Sequence, residues 1–132
     1  MYLPDVMANA ALDFFFKDGP TRYLLLSSTE PVVGPLGLSN ITEPVGYARV
    51  AVAPGDWPDA TSRAVETEVD LPDVTDDLGV FPYWALADSG VNGADDAMVP
   101  GEFDDALTLV DGTTNVSATI RIESPLNFFD FS

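Results

Sequence analysis

The stretch "AVETEVDLP" (residues 64–72) decides the class of fold. Val65, Thr67, Val69 and Leu71 fall on one side of an extended chain, and Glu66, Glu68 and Asp70 fall on the other, because successive side chains of a strand point to opposite faces. Such alternation specifies an antiparallel strand with one face on a core and one in water. "NVSATIRIES" (residues 115–124) repeats it, with Val116, Ala118, Ile120 and Ile122 between polar neighbours. Just upstream, "LTLVDGTT" (residues 107–114) carries Asp111-Gly112, a pair suited to a tight reversal, so residues 107–110 are predicted to form a hairpin with residues 115–123.

Working outward, "GVFPYWALADSG" (residues 79–90) reads as a strand with no polar face: Phe81, Tyr83, Ala85 and Ala87 oppose Val80, Trp84 and Leu86. It is either central and covered on both sides, or it shows an aromatic face that a partner covers. Pro82 cannot donate to a ladder, which puts the start of this strand at an edge or a bulge. "RYLLLSST" (residues 22–29) is a further apolar strand, and "TEPVVGPLGLSN" (residues 29–40), rich in Pro and Gly, reads as a long loop of the kind used for contacts. In "DVMANAALDFFFKDG" (residues 5–19), Met7, Ala11, Phe14 and Phe15 approximate a helical stripe, with Asp5 as N-cap and Gly19 as a stop. About six or seven short strands and one short N-terminal helix predict a mainly β, antiparallel β-sandwich or jelly roll in one domain, residues 1–132.

Composition narrows the function. Hydrophobic residues make up 46% of the chain, enough for a packed core despite 22 acidic residues and a net charge of −17. The five basic residues, Lys17, Arg22, Arg49, Arg63 and Arg121, are scattered, so binding to nucleic acid or an anionic membrane surface is not expected. With no Cys and no His, a single chain cannot build a Ser-His or Cys-His nucleophile or an imidazole or thiolate zinc site. No apolar run reaches the ~20 residues of a membrane-spanning helix, and a signal-peptide pattern is missing from the start. No enzyme activity and no cofactor are expected.

Few motifs carry chemistry. In "DSGVNGADD" (residues 88–96) Asp88, Asn92, Asp95 and Asp96 supply oxygen ligands of the type Ca²⁺ takes, but Gly90 stands third and Val99 twelfth, where an EF-hand needs an oxygen donor and a Glu. The loop is read as a solvated turn, with no metal site. The carboxylates of "GEFDDA" (residues 101–106) and "DVTDD" (residues 73–77) are read as acidic surface rather than as a glycosidase pair, and the sequons "NIT" and "NVS" as without consequence. Aromatic residues are the better candidates for partner contact: Trp57 in "PGDWPDA", which is either folded back over the end of the core or a contact residue, Phe81, Tyr83 and Trp84, and Phe128, Phe129 and Phe131 in "PLNFFDFS". The last three either complete the core or insert into a neighbour. In "ITEPVGYARVAV" (residues 41–52) the strand period puts Arg49 with Tyr47 on the face away from the core, where an ion pair with Glu43, or with Glu66 or Glu68, is expected.

In their order, "ALDFFFKDG", "YLLLSSTEP", "EPVGYARVAV", "DW", "FPYWALADSGVNG", "ALTLVDGTT" and "IRI" resemble a family of small bacteriophage virion structural proteins, commonly labelled tail fibre or decoration proteins. "EPVGYARVAV" and "YWALADS" are the most specific blocks; "DDLGVFPYW" departs from the family in lacking a Trp-Gly before the aromatic strand. The resemblance implies a non-enzymatic virion component. A fibre needs length and repeats, which the chain lacks, whereas a capsid decoration (cement) protein needs a compact β domain with apolar anchors. The expected partners are therefore the major capsid protein and copies of this chain, on the outer surface of the capsid. The alternative is a tail-tip or tail-fibre-associated module, with Trp57, Tyr83 or Trp84 stacking on host carbohydrate.

Overall fold

The computed structural model describes residues 4–123. It is mainly β, with antiparallel sheets and one short N-terminal helix. Helix α1 (Asp5–Leu12) runs into a π-helical turn (Asp13–Lys17). The strands come in the order β1 (Arg22–Ser27), β2 (Val32–Gly34), β3 (Gly37–Ser39), β4 (Val50–Val52), β5 (Ala64–Asp70), β6 (Gly79–Ala87), β7 (Ala97–Leu109) and β8 (Ser117–Glu123). One sheet has the order β4-β1-β6-β7, a second pairs β5 with β8, and β2 and β3 form a separate hairpin.

The two layers enclose a common core in a sandwich-like arrangement. Leu24 and Leu26 of β1, Trp84 and Leu86 of β6 and Leu109 of β7 meet Val65 and Val69 of β5 and Ala118, Ile120 and Ile122 of β8, while Leu12 and Phe16 close one end. The alternation in residues 64–72 and 115–123 is realised: Val65, Val69 and Leu71 are buried and Glu66, Glu68 and Asp70 exposed, and β8 alternates along its whole length. These two strands pair with each other, Val65 opposite Ile122 and Glu66 opposite Arg121.

That pairing overturns the predicted hairpin between residues 107–110 and 115–123. Asp111-Gly112 does form a reversal, with Gly112 at φ 88° and the Thr113 amide bonded to the Val110 carbonyl at 3.1 Å. The two arms then separate, β7 to β6 and β8 to β5. The connection between β5 and β6 lies between them and takes the bonds that a hairpin would have made. Val74 donates to Thr113 and accepts from Gly112, both at 2.9 Å, Leu71 donates to Val116 at 2.8 Å and Leu78 to Leu109 at 2.9 Å. The reversal is thus a corner between layers, a distinction that local turn chemistry does not encode.

Strand β6 is an interior strand of the large sheet, between β1 and β7, and its C-terminal half is covered on both faces. Trp84 and Leu86 point into the main core, while Ala85 and Ala87 meet Leu25 of β1, Leu38 of β3 and Ala97 in a smaller cluster. Pro82 marks a bulge, where the pairing jumps from Phe81–Leu107 to Tyr83–Glu102. The side-chain phase of β6 slips across Pro82, so Phe81 joins Trp84 and Leu86 in the core rather than sharing a face with Tyr83, Ala85 and Ala87, while β7 carries the extra residues 103–106 opposite. Across from Trp84 stands Gly101, and a Cβ there would lie 1.9 Å from the indole, so the ring rests directly on bare backbone.

Two further expectations change. Residues 29–40 are not all loop, since β2 and β3 form a small hairpin with Gly34 opposite Gly37. In the helix, the buried stripe is Ala8, Leu12 and Phe16, while Met7, Phe14 and Phe15 are exposed. The N-cap is Pro4, whose carbonyl accepts from the amides of Met7 and Ala8, and Asp5 is the first helical residue, where its charge favours the positive end of the helix.

Candidate functional site

Arg49 is the centre of the polar structure. It precedes the short strand β4 instead of lying mid-strand, and its side chain is 1% exposed, against the expectation that it stays out of the core. A guanidinium carries five N–H donors, and all five are used here. Nε and Nη2 fork onto the two carboxylate oxygens of Glu43, both at 3.0 Å. Nη1 donates to Asp96 Oδ1 at 2.7 Å and to the Ser89 carbonyl at 3.0 Å, and Nη2 donates to the Ala94 carbonyl at 2.7 Å. Glu66 and Glu68 are elsewhere: Glu66 faces Arg121 across the β5–β8 pair, and Glu68 accepts from the Ser117 hydroxyl.

Asn92 completes the knot. Its amide nitrogen shares its two hydrogens among three acceptors, Glu43 Oε2 at 3.0 Å, the Pro44 carbonyl at 3.0 Å and the Tyr47 carbonyl at 2.9 Å, and its oxygen accepts from the Gly46 amide at 3.1 Å. The Gly93 amide adds a bond to Glu43 Oε1 at 3.0 Å from a backbone at φ 84°, a left-handed conformation that glycine adopts without strain. Burial disfavours ionisation of Asp96, but hydrogen bonds from Ser89 and Arg49 and the charge of the guanidinium outweigh it and hold its carboxyl below the usual value. Arg49, opposed by burial yet held by Glu43 and Asp96, is pushed further up. Residues 88–96, with their Ca²⁺-type oxygens, therefore close around an internal cation: Asp96 binds Arg49, and Asp88 binds Arg22 at 3.2 Å. Among the described residues no cluster of carboxylates is arranged to hold a metal ion.

The knot secures the root of the β2–β3 hairpin. Strand β3 leads through Asn40, Ile41 and Thr42 straight into Glu43. Along this return leg, the Thr42 amide donates to Ser27 Oγ at 3.0 Å, Thr29 Oγ1 donates to the Asn40 carbonyl, and Asn40 Nδ2 donates to the Glu30 carbonyl at 2.9 Å. Leu38 plugs into the smaller apolar cluster beside Leu25 and Ala97. So anchored, the hairpin holds Val32, Val33 and Leu36 out in solvent, Leu36 at 101% exposure. Val45 and Val91, next to Gly46 and Asn92 of the knot, are exposed as well.

The aromatic candidates fare differently. Trp57, Phe81 and Trp84 are 3%, 3% and 1% exposed, so they are core residues and not surface anchors. Trp57 is folded back on Phe16, ring centroids 4.9 Å apart, because the 3₁₀ turn Pro54–Asp56 directs it inward. Phe81 is turned in by the Pro82 bulge and Trp84 by its seat on Gly101. Tyr83 is half-buried, and Phe128, Phe129 and Phe131 lie outside the described residues. The carboxylates of residues 101–106 border an open groove of about 330 Å³ between β7 and β8, lined by Glu66, Glu102, Phe103, Asp104, Asp105 and Arg121.

The apolar hairpin was hidden in the sequence by its Pro and Gly content, although "VVGPLG" is a symmetric turn between two β-compatible ends. Comparison of the chain with protein-family models, with curated proteins and with solved structures finds no match.

Proposed function

We propose that this chain is a non-enzymatic structural protein of a bacteriophage virion, a decoration protein that docks on the major capsid protein at the outer surface of the head. The observation that carries the reading is the β2–β3 hairpin, an apolar tip on a rigid, well-tied base. Val32, Val33 and Leu36 lose little conformational freedom on docking because their backbone is already fixed, which is what a small anchor on a preformed shell requires. Acidity supports an outward position, since packaged DNA would repel a chain of net charge −17. The blocks that resemble the phage family, residues 43–52 and 83–89, supply Glu43, Arg49 and Ser89 to the knot beneath this hairpin.

Trp57, Phe81 and Trp84 do not serve as docking anchors, and neither Trp57 nor Trp84 offers a face to a sugar, since their rings are inside. Leu36→Asp tests the reading: thermal stability stays unchanged while association with purified heads is lost. Quantification of purified particles gives copies on the order of the major capsid protein. A handful of copies per particle, confined to tails, would instead establish the tail-associated alternative.

A further inference from the structure

Asn92-Gly93 is the one Asn-Gly pair of the chain; Asn9, Asn40, Asn115 and Asn127 precede Ala, Ile, Val and Phe. Asparagine before glycine deamidates most readily, because no side chain shields the next amide nitrogen and glycine reaches the backbone angles that attack requires. The Gly93 nitrogen, giving its proton to water, bonds to Asn92 Cγ, the bond from Cγ to Nδ2 breaks, and Nδ2 takes a proton from water and leaves as ammonia. A water molecule then opens the cyclic imide at either carbonyl, leaving Asp or iso-Asp at position 92. We infer that Asn92 is a modification site gated by the knot: it remains an amide while the knot is closed, deamidates when the knot opens, and then bars the knot from closing again.

Each atom the reaction needs is occupied in the closed knot. The Gly93 N–H is held on Glu43 Oε1 at 3.0 Å, and losing its proton there would set one anion against another. The Asn92 amide is pinned on both sides, its nitrogen by Glu43 and the carbonyls of Pro44 and Tyr47 and its oxygen by the Gly46 amide, so Cγ cannot swing toward the Gly93 nitrogen. Asn92 is half-buried and Gly93 exposed, so water reaches the pair once these bonds part. The product does not fit the site. A carboxylate has no hydrogen to donate, so a group at 92 that held three acceptors would meet the same oxygens as a second anion beside Glu43. Iso-Asp also routes the main chain through Cβ, which displaces Ala94, whose carbonyl binds Arg49. Glu43 ends the return leg of the β2–β3 hairpin, so the change loosens that leg whatever the hairpin docks on.

Full-length protein is kept in mildly alkaline buffer, folded or in urea, beside Asp96→Asn, which weakens the knot and leaves Asn92 and Glu43 in place. Peptide mass spectrometry follows Asn92, and an isoaspartyl methyltransferase labels iso-Asp. Asn92 is expected to convert at least about tenfold faster in urea than in the folded parent, with Asp96→Asn between them. Equal rates in the folded and unfolded parent, or in the folded parent and Asp96→Asn, would overturn the gate. Asn92→Asp tests the one-way step: its melting temperature falls and the amides of the hairpin exchange hydrogen faster, while Asn115→Asp, at an exposed position, changes neither. Should Asn92→Asp not fold, the urea-aged parent is refolded, and the fraction that regains slow exchange equals the fraction whose Asn92 is intact. Full recovery by deamidated chains would refute the inference.

Discussion

Arg49 and Glu43, six residues apart in sequence, meet as a two-bond fork from which water is almost excluded, their side chains 1% and 7% exposed. Removing one partner of such a pair leaves the other charged and buried, at a cost of about 3–5 kcal/mol. Arg49→Ala is expected to lose about that much in denaturant unfolding. Arg49→Lys recovers little, because an ammonium has three donors on a point and cannot replace a planar fork of five. Added guanidinium ion partly restores the melting temperature of Arg49→Ala, since the oxygens of Glu43, Asp96, Ser89 and Ala94 form a cage of matching shape. A lysine variant as stable as the parent would refute the fork's importance.

Asp96 gives the knot a pH dependence. Its folded pKa is lowered, so its contribution is fully present above the unfolded value of about 3.9 and is lost as pH falls through the folded value. Asp96→Asn, which mimics the protonated acid, is therefore less stable than the parent at neutral pH. The gap begins to narrow as pH falls below the unfolded value of about 3.9 and closes only below the lower folded value. Thermal melts across that range check it, and a gap that stays constant into strong acid contradicts it.

Trp84 and Gly101 predict a steric effect of opposite origin. A methyl group at 101 would overlap the indole, which is itself only 1% exposed and has nowhere to move. Gly101→Ala is expected to destabilise by at least about 1–3 kcal/mol, the usual cost of overpacking. Equilibrium unfolding measures this, and a neutral substitution would mean that β7 shifts outward at its bulge.

Trp57 and Tyr83 separate core from surface among the aromatics. Trp57→Ala empties a site against Phe16 and is expected to cost about 3–5 kcal/mol. Tyr83→Ala, at a half-buried position, costs clearly less. Chemical denaturation of the two variants gives the ranking directly, and equal losses would contradict it.

Much of this architecture is legible in the sequence where one physical rule acts alone. Residues 64–72 and 115–123 alternate because each strand has one wet face, and Pro82, which lacks an amide, announces an edge or a bulge, of which the bulge is formed. An ion pair of Arg49 with Glu43, or with Glu66 or Glu68, is expected from the abundance of carboxylates, and the one with Glu43 is formed. What stays hidden depends on distant segments. Nothing near Arg49 says that residues 89–96 wrap it and bury it, nor does Asp111-Gly112 reveal that residues 71–78 will part its two arms. The helix stripe is misread because residues 5–16 are apolar on two faces, and only the packing of Leu12 and Phe16 chooses between them.

The corner at Asp111-Gly112 also bears on how the chain reaches its native state. Because the corner sends β8 to β5 instead of back along β7, the smaller layer closes only across the whole of β6 and β7, a reach comparable to that of the β1–β6 pairing and far longer than a hairpin's. Its closure entropy must be met before its contacts form, which makes it a slow, late step. Destabilising changes at the β5–β8 ladder, such as Ile120→Val, should then quicken unfolding and leave the folding rate almost untouched.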